Sequence, residues 1–138
     1  MKQGEIWDIY FDPTLGREQS GRRPAVILSG NLLNKYLDVV IVCPITTSVK
    51  NYKGNVVLQP NGSNGLKKES EILLFHIRSV SKKRLKKHRG RITDDQLEKL
   101  KLGLDDILRY WDRRLLVQSS EYKDYLLFSK TSAFHLLS

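Results

Sequence analysis

The chain has 138 residues and a mass of 16.0 kDa, the size of one domain, and its 24 Lys+Arg against 15 Asp+Glu leave a formal net charge of +9. A hydrophobic content of 40% excludes a disordered or low-complexity chain, and a single cysteine excludes an internal disulfide framework and a cysteine-cluster zinc site. No apolar run approaches the roughly 18 residues of a membrane span, and the opening Met1-Lys2-Gln3-Gly4-Glu5 lacks the apolar core of a signal peptide; a cytoplasmic setting without membrane contact is expected, with a polyanion as the first partner to test.

The first two-thirds of the chain reads as short strands. Residues Glu5 to Phe11 are aromatic and β-branched and suit a strand. A polar loop follows from Asp12 to Arg22, punctuated by Pro13, Gly16 and Gly21. Pro24 to Ser29 is a second strand, and Asn31 to Tyr36 suits one helical turn. Leu37 to Ile45 is the strongest strand, with the composition of one buried on both faces, and Cys43 inside it reads as a structural thiol. Asn55 to Gln59 and Glu71 to Ile77 make two more strands around a turn at Asn61 to Gly65. So many short strands close in sequence predict a small, strongly curved sheet or barrel.

From Arg78 to Arg91 the chain carries Lys82, Lys83, Arg84, Lys86, Lys87 and Arg89 without an acid between them. Such a stripe suits nucleic-acid phosphates, an acidic protein, or simply a solvated face. Thr93 and Gln96 then have the spacing of a capping box. Leu97, Leu100, Leu104, Ile107, Leu108 and Trp111 follow at helical spacing as one apolar stripe. A further helix is expected within Ser119 to Ser138. The expected division is a domain over 1–111 and a helical C-terminal extension over 112–138.

Chemistry has few candidates. The three histidines, His76, His88 and His135, are far apart and have no accompanying metal-ligand motif, so neither a metal nor a cofactor is expected. There is no phosphate-binding GxxxxGK[ST] loop and no GxSxG nucleophile elbow. What remains is a polar constellation at strand ends: Glu18, Gln19, Arg22 and Arg23 closing the first loop, Thr46, Thr47 and Ser48 after the strongest strand, and His76 and Arg78 at the end of the fifth. Arginine offers fixed donors and permanent charge for a phosphate, and a threonine hydroxyl can bond a phosphate oxygen.

Gly4-Glu5-Ile6-Trp7, Phe11-Asp12-Pro13 and the run Gly16-Arg17-Glu18-Gln19-Ser20-Gly21-Arg22-Arg23-Pro24-Ala25-Val26-Ile27-Leu28-Ser29 resemble the MazF/PemK family of toxin endoribonucleases. Pro44-Ile45-Thr46-Thr47, then Gly65-Leu66 with Ser70, then Ile77-Arg78-Ser79-Val80-Ser81-Lys82-Lys83-Arg84-Leu85 are similar to its later motifs, in the same order and at similar spacing. The resemblance implies a mainly β fold with accessory helices, an SH3-like small barrel with a C-terminal helix, working as a homodimer. It implies sequence-specific, metal-independent cleavage of single-stranded RNA, and neutralisation by a cognate antitoxin whose acidic disordered tail covers the RNA groove.

The family's catalytic arginine and threonine fall on Arg23 and Thr46, and Glu18 and Gln19 fall on the acid and amide that shape its substrate site. Arg22, Thr47, Ser48, Phe75, His76 and Arg78 join Gln19 as expected RNA-binding residues, and Glu18 and His76 are the candidates for proton transfer. One departure stands out: Phe75 and His76 occupy places where family members often carry an acid and a glutamine. Phe75 has two readings, a stacking platform for a base or core packing at a strand end. Two other functions remain open beside the ribonuclease: a non-enzymatic toxin of the same fold acting on DNA gyrase, and a plain basic RNA-binding module.

Overall fold

A computed structural model describes residues 1–11, 21–52 and 54–109. Its elements are β1 (Glu5–Tyr10), β2 (Arg22–Ile27), α1 (Asn31–Tyr36), β3 (Val39–Thr46), β4 (Val56–Leu58), β5 (Ser70–Ile72), β6 (Arg78–Ser81), β7 (Leu85–Arg91) and α2 (Asp94–Leu108), with 3-10 turns at Leu74–His76 and Lys82–Arg84. All pairings are antiparallel, in the order β4-β5-β3-β2-β1-β7, and β6 pairs with the first half of β3. The curled sheet is the mainly β architecture expected, and the basic stripe is largely strand β7, which reading by composition left unassigned.

The curl nearly joins the two sheet edges. Beyond β4, the turn at residues 61–65 reaches β7, and the Arg91 amide donates to the Ser63 carbonyl at 2.9 Å. Only glycine permits this approach. A Cβ on Gly65, whose φ is +67°, would lie 2.2 Å from the Arg89 carbonyl oxygen, and one on Gly90 would lie 2.1 Å from that of Ser63.

Two apolar clusters occupy opposite faces of the sheet. One joins Ile6, Val26, Leu28, Cys43 and Ile45 to Leu97 and Leu100 of α2. The other holds Ile9, Ala25, Ile27, Val40, Val42, Val80 and Leu85. Helix α2 begins as its sequence requires: the Gln96 amide donates to Thr93 Oγ1 and the Thr93 amide donates to Gln96 Oε1. Its buried side carries Leu97 and Leu100, but Leu108 is exposed and leaves the stripe. Trp111 and the helix expected within 119–138 lie outside the described residues.

Three strand readings need correction. Strand β2 starts at Arg22, not Pro24, so both arginines of the first loop's end belong to the sheet. Strand β3 is buried on both faces only in part, because Val39 and Ile41 are exposed. The expected strand from Glu71 to Ile77 is broken: β5 stops at Ile72, a 3-10 turn takes Leu74–His76, and Arg78 opens β6. The cause lies in β3. Residues Val39–Val42 pair with β6 and Ile45–Thr46 with β5. Pro44, with no amide hydrogen to donate, sits at the changeover, where its carbonyl accepts from the Leu73 amide at 2.8 Å.

One buried group opposes folding. Asp106 on α2 is 8% exposed, and its Oδ2 has no partner among the described residues. Burial, and then the charge of Asp105, push its carboxyl above the usual range, with Arg109 pulling weakly the other way. A raised folded pKa means that the ionised form is penalised above it and that the penalty disappears as pH falls through it. Asp106→Asn is therefore expected to raise the melting temperature by about 4 °C at neutral pH. In thermal melts across pH, the gain over the parent should shrink on acidification.

Candidate active site

Strand register builds the site. Ile9 pairs with Arg23 and Ala25 with Pro44. The β2–β3 pairing ends at Ala25 and Pro44, two residues short of Arg23 and Thr46, and Thr46 itself pairs with Glu71. Ile9–Arg23 and Thr46–Glu71 are thus two directly opposed pairs, on β1–β2 and on β3–β5. Directly opposed residues of antiparallel strands point to the same face, here the face of the cluster that holds Ile9, Ala25 and Val42. That apolar face ends with an arginine on β2 and a threonine on the neighbouring β3, both half-buried.

The hydroxyl is oriented. The Ser48 amide donates to Thr46 Oγ1 at 3.1 Å, a local side-chain turn that occupies one acceptor position and leaves the O–H free to donate outward. Thr47 and Ser48 follow as exposed residues just past the strand. Arg22, exposed beside Arg23, pairs with Tyr10, whose carbonyl accepts from Arg84 Nη1 at 3.2 Å. The front of the basic stripe therefore meets the site.

Arg78 also reaches this face. It pairs with Val42 on the β6 side of β3, yet its guanidinium lies 5.3 Å from the ring centroid of Phe11, which follows β1. Two intervening strands separate them, so the curl of the sheet brings the pair together. Phe11 packs on the same apolar cluster. Phe75 and His76 stand in the 3-10 turn that leaves β3 at Pro44, and both are exposed. With Phe75 57% exposed, core packing is excluded for it.

Glu18 and Gln19 lie outside the described residues. Among the described residues there is no group of three or more His, Cys, Asp or Glu side chains that could hold a metal ion, and no helix is long and apolar enough to cross a membrane. Cys43 is fully buried, and burial pushes its thiol up to about 12, which leaves no thiolate for nucleophilic attack. Along β7, Arg89 pairs with Asp8 at 3.3 Å, His88 with Glu5 at 3.5 Å and Arg91 with Asp94 at 3.4 Å. The positive field of the stripe therefore comes mainly from its first half, nearest the site.

Reading by sequence did not single out Phe11, which lies against Arg78, or Glu71, which pairs with Thr46. Glu71 follows Lys67-Lys68-Glu69-Ser70 in the sequence and looked like one more surface charge ahead of the apolar run Ile72-Leu73-Leu74, so no local signal marked it.

A sequence model of the PemK-like, MazF-like toxins of type II toxin–antitoxin systems matches residues 2–108. The chain belongs to this family. It is 32% identical over 114 residues to "Endoribonuclease MazF9" of Mycobacterium tuberculosis, a match covering 76% of this chain and 97% of that protein. It is 33% identical over 106 residues to "Endoribonuclease MazF" of Staphylococcus saprophyticus, covering 76% of this chain and 88% of the other. Among solved structures, the MazE-MazF crystal structure from Deinococcus radiodurans superposes with a TM-score of 0.67 at 28% identity, over 78% of this chain and 95% of that one. Family membership accounts for the curled sheet and for the order of the motifs along it.

Proposed function

We propose that this chain is an endoribonuclease toxin that cuts single-stranded RNA at a short sequence without a metal and is neutralised by a cognate antitoxin. The observation that carries the proposal is that Arg23 and Thr46, both half-buried, lie on one face of the adjacent strands β2 and β3, each just past the end of their pairing. RNA brings its own nucleophile. Loss of the 2′-hydroxyl proton lets that oxygen bond to phosphorus, the bond from phosphorus to the 5′-oxygen breaks, and the 5′-oxygen takes up a proton. The protein's share is to orient the phosphate, stabilise the charge that builds on its oxygens, and move two protons. Arg23 meets that charge, and the free O–H of Thr46 donates to a non-bridging oxygen. Glu18 and His76 are the candidate proton acceptors. Arg22, Arg78, Gln19, Thr47 and Ser48 border the strand of RNA, and exposed Phe75 offers a face to an unstacked base.

The proposal extends to assembly and setting. The +9 charge of the chain suits both RNA and the acidic disordered tail expected of the antitoxin, so the two compete for the protein. A homodimer is supported by helix α1, which is folded inside out. It buries Asn34, whose Nδ2 donates to the Ser29 carbonyl at 2.8 Å and whose Oδ1 accepts from Ser29 Oγ. It leaves Leu32, Leu33 and Tyr36 in solvent beside Leu37, Val39 and Ile41. An apolar patch of this kind marks an interface. Residues 112–138 form an extension of the toxin domain, and the protein acts in the cytoplasm.

The test is purified protein with a long single-stranded RNA in EDTA, with fragment ends mapped, beside DNA of the same sequence. Discrete cuts leaving 2′,3′-cyclic phosphate and 5′-hydroxyl ends on RNA alone are expected. Salt-sensitive binding without cuts would leave a basic RNA-binding module, and neither binding nor cuts would direct attention to DNA gyrase. Cleavage of DNA, which lacks the 2′-hydroxyl, would overturn the mechanism.

A further inference from the structure

Glu71 is fully buried, and its carboxylate collects four donors. Oε1 accepts from the amides of Lys50 at 2.7 Å and Asn51 at 2.9 Å; Oε2 accepts from the Tyr52 amide and from Asn55 Nδ2, both at 2.9 Å. Three consecutive backbone amides converging on one anion form a nest, and Asn51 adopts the left-handed φ of 57° that the turn requires. Asn55 extends the clamp, because its Oδ1 accepts from the Leu74 amide at 3.1 Å, at the start of the turn that carries Phe75 and His76. One carboxylate therefore ties together the loop after β3 and the 3-10 turn, the two segments flanking Thr46.

We propose that Glu71 is a positioning residue for Thr46: by clamping residues 50–52 it holds the short loop whose Ser48 amide fixes the Thr46 hydroxyl, and so aims that hydroxyl at the phosphate. The proposal rests on the role given to Thr46 above. The chain of contact is continuous. Glu71 pairs with Thr46 across β3 and β5, shares its face, and reaches back to it through Lys50 and Ser48. Glu71 does not act as the base. Burial alone would push its carboxyl up, but the bonds from Asn55, Lys50, Asn51 and Tyr52 outweigh burial and hold it below the usual carboxylate range. Its acceptor positions are filled, so no substrate proton has a place to go.

A double-mutant cycle tests the link. Thr46→Ala, Glu71→Gln and the double variant are compared in single-turnover cleavage of an RNA oligonucleotide carrying one mapped site, with thermal melts verifying that each is folded. Glu71→Gln turns one acceptor oxygen into a donor, which meets two N–H groups whichever way the amide lies. It is expected to slow cleavage by about ten- to a hundredfold, the scale of a misplaced catalytic group, with KM little changed. On the Thr46→Ala background it should cost almost nothing further, because the hydroxyl it positions is gone. Equal losses in both backgrounds, or an unchanged rate in folded Glu71→Gln protein, would overturn the proposal while leaving Thr46 its role. An unchanged rate for Thr46→Ala alone would instead overturn the role of Thr46, and this proposal with it. Where Glu71→Gln yields too little folded protein, Glu71→Asp keeps the charge and draws the carboxylate back; a smaller loss, again absent without Thr46, is expected, and an equal loss with and without Thr46 refutes the link.

Discussion

Replacing Arg23 by alanine is expected to lower kcat for RNA cleavage at least about a hundredfold, the scale on which removal of one preorganised donor to a developing oxyanion is felt. The fold should survive. Arg23 lies in β2, where its backbone pairs with Ile9, and alanine keeps that backbone ladder. Its half-buried side chain is not part of either apolar cluster. Because the guanidinium meets charge that exists only in the transition state, kcat should fall while KM changes little. Arg23→Lys should recover only part of the rate, since an ammonium restores the charge but not the planar fork that engages two oxygens. Steady-state kinetics on a single-site oligonucleotide decide the matter. A variant with raised KM and unchanged kcat would reduce Arg23 to a phosphate contact, as expected of a binding module.

Glutamate at two positions of helix α1, Leu32→Glu with Tyr36→Glu, is expected to split the protein into monomers. Leu32 is 71% exposed and Tyr36 70%, so the isolated chain loses almost no packing. In a two-fold symmetric dimer each substitution is met twice, once from each protomer. Anchors at the centre of an apolar patch cost about 2 kcal/mol or more when lost, so two of them should weaken association at least about a thousandfold. Light scattering on a sizing column should give the parent twice the 16.0-kDa chain mass and the double variant a single chain mass. A parent that runs as a monomer, or a variant that dimerises as tightly as the parent, would rule out this patch as the interface.

Much of the protein was legible before its structure. Residue patterns with a short physical range announced themselves: the capping box of α2 in Thr93 and Gln96, the aromatic and β-branched residues of β1, the apolar density around Cys43. The motif from Glu18 to Pro24 and the pair Thr46-Thr47 pointed to the family and to the two residues now on neighbouring strands. The misreadings share a cause. The run from Glu71 to Ile77 has strand composition throughout, but whether a strand continues depends on a partner's hydrogen-bonding groups, and Pro44 withholds one. The run from Leu85 to Arg91 looked like surface charge because its pairing with β1 is long-range and its basic side chains are mostly exposed.

The sequence by itself determined the chemistry on offer: a permanent cation, a hydroxyl, candidate proton acceptors, a strong positive field and a thiol set among apolar neighbours. It did so because side-chain identity alone decides charge, donor count and the absence of a metal-ligand motif. Only the tertiary structure decided which of these groups work together. Strand pairing set Glu71 opposite Thr46 and brought Arg23 onto the strand beside Thr46, and the curl of the sheet carried Arg78 to Phe11 across two strands. The same long-range pairing turned Glu71 from one acid at the end of a charged stretch into the buried anion of a loop, since a lone charge is tolerated inside a protein only where the fold gathers enough donors around it.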